Sequence, residues 1–541
     1  MRNHQERYDA LIVGAGPSGA VAAKRLREDG FSVIVLEQGP WPDYGNARAD
    51  HPDYELTLDR YWPWDPNRDP NNPGYPFDDS ESTLTPLMWN GVGGSALLWA
   101  AQWQRQMPSD FKVRTLDGVA DDWPLSYEDL VPFYARVERD FGVSGLAGDP
   151  AFPATEDRPP MPAVPLREHG RRVAQAHNDL GWHWWPGTNA IATRDYAEAN
   201  LRACTQRATC MRGCVEHAKS SPDLTHWPAL VRGGVDLVTG AHVRRITTGS
   251  DGLATGAVYT DADGRDHRVD ADIVILCANG IGTPRLMLLS GDSDDGLGNS
   301  TGLIGKRLMM HPLGQVIGVW DDDLGTTRGV HGQQMHSLEF YETDDSRDFV
   351  RGAKWGLLPG GGPLTATRSY PWGSENSIWG DGFQEGLRSR LSRSAWWAII
   401  SEDLPEEHNR IVLDPARTDR WGDPIAKIEY TTSENSDRML KFHLDRAMES
   451  MQAAGASQVI RGSWIKESAF HHLGTVLMGD DPETSVVDGW GRSHDVPNLF
   501  VMDGSVMPTS SGMNPTATIA ALALRNTEHL VEERRFQKVA K

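Results

Sequence analysis

Residues 8–19 read YDALIVGAGPSG, and this stretch decides the fold. YDALIV is a short, mostly apolar run suited to a buried strand. Glycines at 14, 16 and 19 follow at once. Then comes AVAAKRLREDG, with small and apolar residues at helical spacing, and a second apolar run, FSVIVLE. Strand, glycine turn, helix and strand in about thirty residues open a dinucleotide-binding α/β unit. Gly14 permits the tight turn, Gly16 lets a pyrophosphate approach the backbone, and Gly19 lets helix and strand pack closely. The helix start offers free N–H groups and a partial positive charge to phosphates. Glu37 ends the second strand, where an acid accepts hydrogen bonds from a ribose 2′-hydroxyl and repels the 2′-phosphate of NADP. The spacing alone is weak; its setting between strand and helix makes dinucleotide binding the reading, with a structural βαβ turn as the alternative. It does not separate FAD from NAD.

A chain of 541 residues is too long for one core and suits two or three packed units. Strand-like runs return at GVDLVTGAHVRRI (234–246), ADIVILCANG (271–280) and NLFVMDGS (498–505). Between them, LAGDPAFPATEDRPPMPAVP (146–165) is a proline-rich crossing and LPGGGP (358–363) a flexible punctuation. The expected organisation is one nucleotide-binding unit from 1–145, 230–310 and 465–541. A second unit, 146–229 and 311–464, is inserted in it.

A net charge of −22 repels nucleic acid and anionic membranes, so neither is expected as a partner. No run approaches the ~20 apolar residues that span a bilayer. The leader before residue 8 leaves no room for a signal peptide, so a cytoplasmic location is expected. Cys204, Cys210 and Cys214 crowd together with His217 behind them. A zinc site lacks its C-x-x-C pair, and an iron–sulfur cluster lacks a fourth thiolate, since Cys277 lies in a separate strand. Free thiols or one local disulfide are the plainer reading.

Four motifs identify a family. They are the turn at 14–19, WNGVGGSALLWAAQ (89–102), ANGIGTPRLMLLSG (278–291), and the C-terminal pair HHLGTVLMG (471–479) with NLFVMDGSVMPTSSGMNPTATIAALALR (498–525). In this order, and end to end, the chain resembles the glucose–methanol–choline (GMC) family of FAD-dependent oxidoreductases. The branch with Asn-Pro near its C-terminus looks nearest, that of gluconate dehydrogenases, pyranose oxidases and glycoside 3-oxidases. The resemblance implies an α/β fold: a Rossmann-like FAD-binding domain with an inserted substrate domain, whose antiparallel sheet roofs the flavin. It implies FAD held without a covalent bond, because Leu98 stands before Trp99 where covalently flavinylated relatives have histidine. Gly14, Gly16, Gly19 and Glu37 would hold the ADP half, with the backbone of Val243 at the adenine. Gly94 and Ser95 would lie near the pyrophosphate and isoalloxazine, Asp503 near the pyrophosphate or ribityl chain, and Asn514, Pro515 and Thr516 at the flavin. Asn279 stands where many relatives have glycine.

Alcohol oxidation removes a hydride and a proton. The flavin accepts the hydride, and a base of near-neutral pKa must take the proton. By the family's His-x-x-Gly motif that base is His471; His472, or two merely solvated histidines, are the alternatives. Asn514 would position the hydroxyl. It reads as the N-cap of a helix with Pro515 at its first position, anchored by Ile519, Leu522 and Leu524. The helix's positive end would stabilise charge on the reduced flavin.

The chain has 20 tryptophans. Trp62 and Trp64, Trp182, Trp184 and Trp185, and Trp396 and Trp397 could stack on sugar rings or pack cores. PLTATRSYPWGSENSIWG (363–380) could close over a substrate. The expected reaction oxidises a secondary hydroxyl of a sugar or glycoside to a ketone, with O2 or a quinone as acceptor. A polyol, sterol or aromatic alcohol is the alternative, and a non-redox lyase the remote one. Oligomeric state is not legible.

Overall fold

The computed structural model describes residues 7–45, 65, 67, 76–291, 295–368 and 380–539. Trp62, Trp64 and residues 369–379 of the expected closing segment lie outside them. The chain is an α/β protein built on two large sheets. In the seven-stranded sheet, Arg7–Val13 lies between Val33–Glu37 and Asp266–Leu276, both parallel to it, and Asp236–Thr239 extends the first of these. On its other edge the eleven-residue strand Asp266–Leu276 serves two partners in turn. Residues 266–270 pair with the antiparallel Ala254–Thr260, and residues 274–276 pair with the parallel Leu499–Val501. The buried strands are apolar runs, as a sheet covered on both faces requires. Helix Pro17–Glu28 packs on the C-terminal helix Thr516–Val539, which packs in turn on Tyr127–Phe141. No helix among the described residues is long and apolar enough to cross a membrane.

The six-stranded sheet is antiparallel throughout, in the order Gln458–Trp464, Leu313–Val319, Ser394–Ser401, Ala353–Pro359, Met335–Ser337, Trp185–Pro186. Its two faces separate by the alternation of a strand. Val316, Trp355, Leu357, Trp397 and Ile399 point one way, into a core with helix Glu434–Ala453. Leu313, Gln315, Leu358, Trp396, Ala398 and Ile400 point the other way and roof a cavity. All strands of the first sheet come from 1–145, 230–310 and 465–541, and all strands of the second from 146–229 and 311–464. A small third sheet crosses that division, pairing Phe77–Ser82 with Pro424–Tyr430.

The tryptophans divide accordingly. Adjacent Trp396 and Trp397 face opposite sides of their strand, so only Trp396 reaches the cavity. Trp182 packs edge-on against Phe340 and Trp355 in the core. Trp184 and Trp185 bond Asn178 and the Leu146 carbonyl through their indole N–H. Trp182 and Trp184 pack against the core that holds Trp397, and of the clusters within the described residues Trp396 alone lines the cavity.

Candidate active site

The two glycine turns, some eighty residues apart, are built against each other. Gly93 N–H donates to the Ala15 carbonyl at 3.0 Å, and a Cβ on Gly94 would lie 2.9 Å from the Gly16 Cα. The first turn's glycines are needed for different reasons. Gly14 has φ +104°, and a Cβ there would come 2.4 Å from the Cys277 carbonyl oxygen; one on Gly19 would come 2.1 Å from the Gly14 oxygen. Gly16 has an ordinary φ of −76°, and a Cβ on it would meet nothing closer than 3.9 Å. Its bareness serves the cavity it lines.

That cavity, about 700 Å³, runs from Gly14, Gly16 and Glu37 past Val243, Gly94, Ser95 and Asp503 to His471, Asn514, Pro515 and Thr516. Gly19 supports the turn from behind. The space fits a dinucleotide on three counts. Helix Pro17–Glu28 has no side-chain cap and no acid in its first turn, so its leading N–H groups are free for phosphate. Glu37 accepts from Ala15 N–H and Gly39 N–H, both at 2.9 Å, which aims the carboxylate and leaves further lone pairs for hydroxyls. Burial raises its pKa, opposed by those backbone bonds. Bare Gly16 lies between the two. Asp503, by contrast, is saturated by the chain. It accepts from Asn279 N–H (3.0 Å), the Thr283 hydroxyl (2.6 Å), and Ser505 N–H and hydroxyl (2.9 and 2.5 Å). What it can present to the cavity is charge. Asn279 has φ +65°, in the left-handed region, and its own Oδ1 accepts from Ile281 N–H and Gly282 N–H at the start of helix Asn279–Leu288.

At the far end His471 and His472 behave differently. His472 is buried, its pKa pushed down to about 4 by burial, and its Nε2 bonds the Ala469 carbonyl at 3.0 Å. His471 Nδ1 lies 2.7 Å from His311 Nδ1, while His311 Nε2 lies 3.1 Å from the Ser510 carbonyl. A carbonyl only accepts, so His311 carries its hydrogen on Nε2 and its Nδ1 is bare. The short contact then puts the hydrogen on His471 Nδ1. His471 Nε2 is left as a lone pair for the cavity. Burial first, then the neighbouring His311, His472 and Lys354, hold His471 well below the usual imidazole range, so it stays unprotonated.

Asn514 departs from its expected N-cap role. The helix starts at Thr516, with the Pro515 carbonyl accepting from Ile519 N–H, and Asn514 Oδ1 accepts instead from Lys354 Nζ at 2.5 Å. A buried Nζ needs acceptors, and the carboxamide oxygen is one it can reach. Ile519 lines the cavity, while Leu522 and Leu524 enter the core.

Three cavity-side residues had no part in the sequence reading: His311, Lys354 and Gln315. A lysine in the strand AKWGLLP and a histidine in MMHPLG were the available signals. Leu98, buried beside Leu97, lines the cavity with Trp99 and offers no nucleophilic atom. Cys204, Cys210 and Cys214 are free thiols in one loop whose Ala208, Thr209 and Met211 line the cavity, so the local disulfide does not form. Burial raises Cys204 to about 12 and Cys210 to about 11.

Comparison with known proteins agrees with this geometry. The GMC oxidoreductase family models match residues 8–313 and 405–523. The chain is 37% identical to 2-methyl-1,2-propanediol dehydrogenase of Mycolicibacterium austroafricanum, over 100% of this chain and 97% of that one. It is 28% identical to the fructose dehydrogenase large subunit of Gluconobacter japonicus, over 98% and 99%. Among solved structures, pyridoxine 4-oxidase from Mesorbium loti superposes with a TM-score of 0.65 at 20% identity, over 96% of this chain and 98% of that one. The chain belongs to the GMC oxidoreductase family and is an FAD-dependent oxidoreductase acting on alcohols.

Proposed function

We propose that this protein oxidises a hydroxyl of a small polyhydroxylated molecule, a polyol or a sugar, with His471 as the base and Asn514 positioning the hydroxyl. The observation that carries the reading is the single cavity that reaches from Gly16 and Glu37 to His471 Nε2 and Asn514. FAD supplies the hydride acceptor when bound. Gly14, Gly16, Gly19, Glu37 and Val243 hold its ADP half, with Gly94, Ser95, Asp503, Pro515 and Thr516 along the rest, and Leu98 argues for a non-covalent cofactor. The chain's own work is at the substrate. His471 Nε2 takes the hydroxyl proton, Asn514 fixes the hydroxyl oxygen, and the roof of Leu313, Leu358, Trp396 and Ile400 excludes water. O2 or a quinone would reoxidise the cofactor.

Two substrate readings differ in support. A short diol or polyol is supported by the diol dehydrogenase relative. Oxidation of a secondary hydroxyl of a sugar or glycoside to a ketone is the second reading. It rests on Trp396 and on Gln315, whose buried Oε1 finds no partner among the described residues, and on the fructose dehydrogenase relative. The test is an anaerobic flavin spectrum titrated with short diols, polyols, free sugars and phenolic glycosides. Bleaching identifies the class. His471→Ala should keep bound FAD and lose at least ~100-fold in reduction rate. A bound flavin that no alcohol bleaches, or a His471→Ala variant reduced normally, would overturn the reading.

A further inference from the structure

Strand Ala353–Pro359 buries all seven of its residues, and one is a lysine. Lys354 is 0% exposed. Among the described residues no carboxylate lies within salt-bridge reach of its Nζ. Four neutral amide oxygens surround it: Asn514 Oδ1 at 2.5 Å, Gln102 Oε1 at 2.6 Å, Gln333 Oε1 at 3.2 Å and Gln104 Oε1 at 3.3 Å. The strand's alternation puts Lys354 on the same side as Gly356 and Leu358, the side facing the cavity. Gly356 leaves room for the cage. A Cβ there would lie 3.1 Å from Gln333 Oε1 and 3.4 Å from Gln102 Oε1. Burial alone drives Lys354 well below the ordinary lysine range. A methionine would fill this space without that cost, so packing does not account for the lysine.

An amide oxygen can only accept, so Asn514 Oδ1 is committed to an N–H of Lys354 Nζ and its Nδ2 is the amide end left for the cavity. We propose that Lys354 is a positioning residue: by holding the Asn514 oxygen it presents Nδ2–H2 to the alcohol's oxygen, while His471 Nε2 accepts the hydroxyl proton. The proposal rests on the alcohol-oxidation reading above. With the amide reversed, Asn514 Oδ1 and His471 Nε2 would compete for one proton, and nothing would bond the hydroxyl oxygen. Lys354 is also among the neighbours that lower the pKa of His471.

The test is a double-mutant cycle on the holoenzyme with Lys354→Met and Asn514→Ala, read as anaerobic flavin reduction and, separately, as urea unfolding. Lys354→Met should slow reduction by about 5- to 100-fold, the scale of leaving one buried acceptor without its donor. In the Asn514→Ala background the same change should cost less than about twofold, because its route of action is gone. Equal losses in both backgrounds, or normal reduction in Lys354→Met, would overturn the proposal. Asn514→Asp tests it even if the lysine variants fail to fold. It keeps an oxygen for Lys354 but has no N–H2, so it should fold stably and reduce slowly; a wild-type rate would overturn the proposal. Unfolding tests the pair without substrate: non-additive losses support it and additive ones overturn it. Failure of every alcohol to reduce the wild-type flavin would instead count against the oxidation reading.

Discussion

Replacing His311 by leucine should cripple the base without touching it. In the folded protein one hydrogen bridges the 2.7 Å Nδ1–Nδ1 contact, and the Ser510 carbonyl on His311 Nε2 decides that it belongs to His471. Leucine removes the acceptor. His471 must then bury an unpaired Nδ1–H, at about 1–3 kcal/mol, or move that hydrogen to Nε2, where it blocks proton acceptance. Either way the competent tautomer loses about 1–3 kcal/mol of preference, which is about 5- to 150-fold in rate. His311→Gln, whose Oε1 can accept, should recover most of it. The assay is stopped-flow anaerobic flavin reduction at saturating substrate, repeated from pH 8 downward, with a thermal melt to show that each variant is folded.

The pH profile carries a second mark. His471 works unprotonated, so activity falls as pH drops through its pKa. Burial, aided by His311, places that fall well below 6.5. A His311→Leu enzyme with the wild-type rate would refute the tautomer argument.

Gly16→Ala should leave the apoprotein's melting temperature unchanged and weaken FAD by at least ~10-fold. Gly14→Ala should destabilise the fold by about 2–4 kcal/mol, since φ +104° and the 2.4 Å approach to Cys277 are internal to the chain; a Gly16 variant that binds FAD normally would move the pyrophosphate elsewhere. Acid should unfold the protein through its buried histidines: His169, His177, His226 and His311 are each pushed down to about 4. The unfolded chain takes up those protons first, so stability is full above 6.5 and falls as pH drops toward 4, by up to ~3 kcal/mol per imidazole. Melting temperatures flat across that window would contradict it. Trichloroacetic acid should release all the flavin into the supernatant; yellow pellets would mean a covalent bond that Leu98 does not provide.

The nucleotide-binding half of the fold was legible because its requirements are local and steric. Gly14 and Gly19 answer to contacts inside one turn, and apolar runs such as ADIVILC read as buried strands wherever they fall in the chain. The oxidising end is harder to read because its logic is tertiary. Lys354 in AKWGLLP reads as the polar side of an ordinary strand. Only the sheet's placement over the cavity, with helix Glu434–Ala453 behind it, shows that no side of that strand meets water. His311 becomes informative only when the Ser510 carbonyl, 199 residues away, is set against its Nε2. The same geometry that hides these residues misleads about Trp396 and Trp397. Neighbours in sequence look like a stacking platform, yet successive strand residues point to opposite faces, so such a pair can give a cavity only one ring. A lysine whose alternate neighbours, Trp355 and Leu357, pack a core is on this reasoning the more telling residue. Its own side must face either water or a site.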